Sequence, residues 1–195
     1  MPTVFVICGC NGAGKTTASN TLLPRILDCK EFVNADNIAS GLSPFQPSNA
    51  AIDAGRLMML RMNQLIRSRT DFAFETTLAA VSYINKIEEC KKAGYKISLV
   101  YFWLNSVELA IKRIKSRVRK GGHFIPESVV KRRYYRGIKH LFDKFIPICD
   151  EWMIIDNSFT HPLLVAEGNK NSPEVVNQRG TWEIIKSIKN EKQQK

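Results

Sequence analysis

The hydrophobic positions of this chain fall into short unbroken runs separated by stretches with one apolar face. Residues 4–8 (VFVIC) are apolar, partly β-branched and ended by Gly9, the pattern of a buried strand. Residues 15–23 suit a helix stopped by Pro24. A second short strand over residues 32–36 (FVNAD) carries a carboxylate at its end. A long helix over residues 48–68 follows, with Ile52, Gly55, Met59, Met62 and Ile66 along one face and the methionines expected in the core.

Residues 71–76 (DFAFET) predict a third strand ending at Glu75, and a helix over 80–93 is closed by Gly94. The almost wholly apolar residues 97–104 predict a central parallel strand covered on both faces. Asn105 and Glu108 resemble a capping box for a helix whose core stripe is Val107, Ile111, Ile114 and Val118. After Gly121-Gly122, a helix led by Pro126 runs to about residue 142, EWMIID gives a fifth strand, and PLLVAEG a sixth. A terminal helix over 181–188 precedes a frayed tail over about 190–195. Strands alternating with helices imply a three-layer α/β/α fold with a mostly parallel sheet, and ligands then bind beyond the carboxyl ends of the strands. The glycine-rich turn after the first strand, Asp36 and Glu75 should meet there.

That turn, Gly9-Cys10-Asn11-Gly12-Ala13-Gly14-Lys15-Thr16, matches G-x-x-x-x-G-K-[ST] at every fixed position and lies between a strand and a helix. The pattern is that of a P-loop NTPase. Backbone amides of Gly9, Asn11, Gly12, Ala13 and Gly14 would wrap the phosphates of ATP, with Thr17 alongside. Lys15, expected as a solvent-facing ligand, would reach the β/γ-phosphates, and the Thr16 hydroxyl would hold Mg²⁺. A motor or switch then needs a water-positioning group, whereas a kinase needs a carboxylate to orient and deprotonate an acceptor hydroxyl. Asp36 is placed for the second role, or simply caps the next turn. Glu75-Thr76-Thr77 offers the groups that grip a polyol, though Glu75 could also hold Mg²⁺ through water. Asp156, at the end of a late strand, belongs rather to the region of a nucleotide-base loop.

Composition narrows the class further. At 195 residues with 44% hydrophobic residues, the chain predicts one globular domain, residues 1–195. No apolar run approaches the length of a membrane span and the start lacks a basic leader, so a cytoplasmic protein with no membrane partner is expected. Five cysteines, an odd number with three in apolar runs, argue for free thiols. The net charge of +11 points to an anionic partner. Eleven cations crowd residues 112–139, with Arg113, Arg117 and Lys120 on one helix face and Arg132, Arg136 and Lys139 on the next. Two basic faces hinged at Gly121-Gly122 suggest a helical lid over about 112–140 that would close on the transferring phosphoryl group. His123 is expected as a hydrogen-bond donor of that lid.

Taken together, GCNGAGKTT, FVNADNIA, FETTL, RVRKGGHFIPESVVKRRYY and IIDNS resemble the zeta-toxin family of P-loop kinases in its small stand-alone form, from about residue 3 to about residue 158. The resemblance implies ATP- and Mg²⁺-dependent phosphorylation of UDP-N-acetylglucosamine, and an antitoxin partner. It implies Lys15 on the γ-phosphate, Thr16 on Mg²⁺, Asp36 as base, and Glu75 and Thr77 toward the acceptor; His123, as a lid donor, is expected among the substrate-binding residues on its own account. The catalytic lid arginines would come from Arg117, Arg119, Arg132 and Arg133, with Arg117, Arg132 and Arg133 favoured. Thr76 stands where better-known members tend to have Gly, and the Gly-Gly-His lid differs from theirs. The rivals are a polynucleotide or nucleoside kinase and a nucleotide-gated nucleic-acid-binding protein. Nucleic acid is disfavoured because the basic stretch lacks interleaved exposed aromatics for stacking bases, Tyr134 and Tyr135 being the only pair there.

Overall fold

The computed structural model describes residues 1–122 and 124–190. A seven-stranded sheet forms its middle layer. β1 (Thr3–Gly9) lies between β3 (Phe72–Thr76) and β4 (Lys96–Trp103), with β2 (Glu31–Val33) at one edge, and β5 (Glu151–Asp156), β6 (Leu163–Asn169) and β7 (Ser172–Val176) completing the order 2-3-1-4-5-6-7. The first five strands are mutually parallel, while β6 and β7 turn back antiparallel. β1 and β4 are buried along nearly their whole length, as strands covered on both faces must be. Among the described residues, no helix is long and apolar enough to cross a membrane.

The helices are α1 (Lys15–Arg25), α2 (Ala35–Leu42), α3 (Ala51–Arg67), α4 (Tyr83–Lys92), α5 (Val107–Arg119), α6 (Glu127–His140) and α7 (Arg179–Asn190). Several depart from the sequence expectation. α1 runs past Pro24, whose missing N–H falls in the last turn, where the Asn20 carbonyl that it would have met belongs to an exposed residue. The second strand stops at Val33 rather than at residue 36, because Asn34 turns its side chain onto the Asp36 and Asn37 amides and starts α2. α3 follows a 3₁₀ turn at Pro47–Ala50 and buries Ala54, Met58, Met62 and Leu65; Met62 is in the core as expected and Met59 and Ile66 flank it, but the centre of the buried face is turned toward Met58 and Leu65 and Ile52 is exposed. The cap of α5 is Ser106, whose oxygen accepts from the Leu109 amide, not Asn105. Gly94 does close α4, at φ 80°.

α6 is anchored rather than free. Val130, Tyr134, Gly137 and Ile138 are buried, the Tyr134 hydroxyl donates to the Leu104 carbonyl at 2.7 Å, and a Cβ at Gly137 would come within 2.7 Å of the Thr77 carbonyl oxygen. A hinge at Gly121-Gly122 therefore cannot swing α6 without opening the core.

Candidate active site

Residues 10–14 leave the end of β1 and hand the chain to α1. Gly12 and Gly14 sit at φ 81° and 82°, a region that side chains rarely adopt. A Cβ at Gly12 would also stand 2.7 Å from the Ala110 carbonyl oxygen of α5, and one at Gly14 would stand 2.5 Å from Asn157 Nδ2. The loop is thus clamped from both sides as well as turned.

Above it opens a cleft of about 810 Å³. Asn11, Gly12, Gly14, Lys15, Thr16 and Thr17 line its floor, and Asp36, Glu75, Arg117 and Asn157 are among its walls. Arg113 of α5 and Lys120, just past its end, join Arg117, so four cations, counting Lys15, face two carboxylates. That surplus of two positive charges suits a polyphosphate.

Lys15 is not solvent-facing. It is 5% exposed, its Nζ donates to the Cys10 carbonyl at 2.9 Å, and it stands 3.4 Å from Glu75 Oε1. Thr16 Oγ1 donates to Glu75 Oε2 at 2.7 Å, and Asn34 Nδ2 donates to the same oxygen, also at 2.7 Å. Glu75, at the end of β3, therefore joins the loop to the start of α2. Asp36 occupies the first turn of α2, where the helix dipole favours a carboxylate. It reaches the cleft from a helix and not from a strand end.

The structure separates the two neighbouring arginines of α6. Arg133 is half-buried on α6, and its Nη1 donates to Asn11 Oδ1 of the loop at 3.0 Å. Burial lowers its pKa from the usual guanidinium value, while the nearby Asp36 carboxylate works in the opposite direction. Arg132 is exposed, and neither it nor Arg133 is among the residues lining the cleft, so it is the contact with Asn11 that sets the two apart. Thr77 is half-buried beneath Gly137 and does not line the cleft either. His123 lies outside the described residues. Burial pushes the Cys10 thiol up to about 11, with Lys15 opposing, so this loop cysteine is an inert packing group.

Two contributors were not assigned a role from sequence. Asn34 both caps α2 and holds Glu75, and an Asn just ahead of a helix start is the signal that could have found it. Asn157, after β5, donates from Nδ2 to the Ala13 carbonyl at 2.7 Å and fixes the loop from the far side. Only the fold brings it there. Asp156 is buried and accepts from the Ser158 amide at 2.9 Å, so it shapes the turn that presents Asn157.

Comparison with known proteins fixes the family. Residues 42–158 match the family described as Zeta toxin. The chain belongs to the zeta toxin family. The matched span begins after the phosphate loop and Asp36, so those two features stand on their own residues and geometry. The chain is 37% identical over 127 residues to an uncharacterised protein of Haemophilus influenzae, spanning 65% of this chain and 89% of that protein. Among solved structures it resembles AvrRxo1-ORF1 in complex with AvrRxo1-ORF2, with a TM-score of 0.77 at 18% identity, over 96% of this chain. The match spans 64% of that longer chain. It also resembles a structure of the PezAT toxin-antitoxin system of Streptococcus pneumoniae, with a TM-score of 0.67 at 14% identity, over 97% of this chain and 86% of that one. These likenesses establish the α/β P-loop fold.

Proposed function

We propose that this zeta toxin family member is an ATP-dependent kinase that transfers the γ-phosphoryl group to a hydroxyl of a small molecule, with a nucleotide sugar such as UDP-N-acetylglucosamine as the acceptor. The observation that carries the reading is the convergence, in one cleft, of a complete phosphate loop with Asp36 and a row of cations from α5. A neighbouring structure, the AvrRxo1-ORF1:ORF2 complex, is one with ATP.

Residues suited to Mg²⁺ are present. The Thr16 hydroxyl and the Glu75 carboxylate are hard oxygen donors side by side at the cleft. Among the described residues no group of three or more His, Cys, Asp or Glu could hold a metal, which fits a cation held largely by the nucleotide's own phosphates. Bound there, Mg²⁺ would neutralise charge on the β- and γ-phosphates. Lys15 holds those phosphates, Asp36 accepts the proton of the acceptor hydroxyl, and Arg117 and Arg133 stabilise charge that builds on the moving group. The reading includes a cytoplasmic setting and, by family membership, an antitoxin protein as partner.

The test is a screen of nucleotide sugars, sugars and nucleosides for an ATP-dependent gain of one phosphate. UDP-N-acetylglucosamine should gain it, and a screen in which nothing does removes the reading. The net charge of +11 favours one rival, a polynucleotide kinase. Against it, Tyr134 is buried and Tyr135, half-buried, pairs with it in a T-shape at 5.2 Å, which leaves Phe124 as the one well-exposed ring among the described residues of the basic stretch rather than a row of faces for stacked bases. Oligonucleotide binding that weakens steeply with salt, accompanied by end-labelling of the oligonucleotide, would revive the rival.

A further inference from the structure

The two side chains that the phosphate loop offers to a nucleotide are already engaged within the protein. Glu75 Oε1 stands 3.4 Å from the Lys15 ammonium, and Glu75 Oε2 takes the Thr16 hydroxyl hydrogen at 2.7 Å. The carboxylate is not free to drift. Asn34 Nδ2 donates to Oε2, and the Asn34 oxygen is committed to the Asp36 and Asn37 amides, so turning Asn34 away would uncap α2. Glu75 and Lys15 are 13% and 5% exposed, which leaves little water to screen the pair.

Glu75 thus supplies the negative charge that a phosphate would supply. For a triphosphate to replace it, Lys15 must leave the carboxylate, and Thr16 must stop donating its hydrogen and present its oxygen instead. A metal-free triphosphate approaching this arrangement meets a fixed like charge. A triphosphate carrying a divalent cation brings an alternative partner for both the Glu75 carboxylate and the Thr16 oxygen.

We propose that Glu75, braced by Asn34, is a positioning residue that makes nucleotide entry conditional on the divalent cation: it occupies Lys15 and Thr16 in the nucleotide-free protein and releases them to Mg²⁺-bound, not metal-free, ATP. This rests on the nucleotide-binding reading of the cleft and adds a cation dependence located in one carboxylate.

Calorimetry of ATP binding to the full chain, once with excess chelator and once with Mg²⁺, tests it without any acceptor. Glu75→Gln keeps the size and can still accept from Asn34 and Thr16, but it has no charge to hold Lys15. The variant should bind metal-free ATP at least about tenfold more tightly than the wild type, and its gain on adding Mg²⁺ should shrink accordingly. Asn34→Ser, which keeps a capping oxygen but cannot reach Glu75, should shift metal-free binding in the same direction by less, and it decides the matter if Glu75→Gln does not fold. Equal metal-free affinity in wild type and variant, or an undiminished Mg²⁺ gain, overturns the proposal. If the wild type binds ATP in neither condition, the nucleotide-binding reading fails; if it binds normally and the variants match it, only the role of Glu75 fails.

Discussion

Arg133 and its neighbour Arg132 carry the same charge one residue apart, yet the structure gives them different fates. The Arg133 guanidinium is half-buried, donates to Asn11 of the phosphate loop at 3.0 Å, and feels the Asp36 carboxylate, whereas Arg132 is exposed; neither lines the cleft itself. Arg133→Ala removes a charge-assisted hydrogen bond of about 1.5–3 kcal/mol. Part of that loss is offset because the guanidinium no longer has to be desolvated. The net cost to folding should therefore stay below about 2 kcal/mol, a shift of a few degrees in Tm. The catalytic cost should be larger, since a preorganised donor aimed at developing charge contributes about 2.7–4 kcal/mol, or roughly 10²–10³ in kcat. ATP affinity should change by less than about tenfold. Arg132→Ala should remain within about threefold of wild type in both respects. Steady-state turnover on the acceptor found by the screen, with ATP and acceptor varied separately, distinguishes these outcomes. Equal damage from the two substitutions, or an Arg133→Ala defect confined to ATP affinity, would refute the reasoning.

Further outcomes follow from the packing. Gly137→Ala places a methyl within 2.7 Å of the Thr77 carbonyl oxygen, so α6 must lift from the core, and a loss of about 1–3 kcal/mol should appear in a denaturant melt. Ser106→Ala should cost about 1 kcal/mol of stability by removing the α5 cap, while Asn105→Ala costs less than half of that. Burial holds the Cys10, Cys29 and Cys90 thiols up at about 11, above their unfolded value, so the folded state binds these protons more tightly. Their contribution to stability is complete below about pH 9 and is lost as pH rises from there through about 11, which Tm measured across that range should show. At pH 8 the native protein should resist alkylation by iodoacetamide and react fully once denatured.

Much of this architecture is legible in the residues because the signals are strong. The β1 and β4 runs are too apolar to be anything but central strands, and the glycine loop between strand and helix has few other readings. The failures share a different cause, which is that packing chose among locally similar options. Ala54 carries little hydrophobic signal, so the face of α3 that meets the core is set by Met58, Met62 and Leu65 together, with its centre turned away from Ile52. The β7 strand, Ser172–Val176, is largely exposed and contains Pro173, so it owes its form to pairing with β6 rather than to a pattern of its own. At the site, the identity of the loop and of Asp36 was readable. The grip of Glu75 on Lys15 and Thr16 was not, because it depends on β1 and β3 lying side by side, with Ile7 opposite Glu75 in the register.

The central claim is that Asp36, on the first turn of α2, takes the proton from an acceptor hydroxyl while the loop presents the γ-phosphoryl group. Asp36→Asn keeps the size and the Asn34 cap contact through its backbone amide, but it cannot take a proton. The decisive measurement pairs calorimetry using a non-hydrolysable ATP analogue with a turnover assay on the same preparation of Asp36→Asn. The account predicts analogue binding at wild-type strength or slightly better, with phosphorylation of the acceptor reduced by roughly 10²–10⁴-fold. Wild-type turnover in Asp36→Asn, with Glu75→Gln inactive beside it, would contradict the account and move the base to β3.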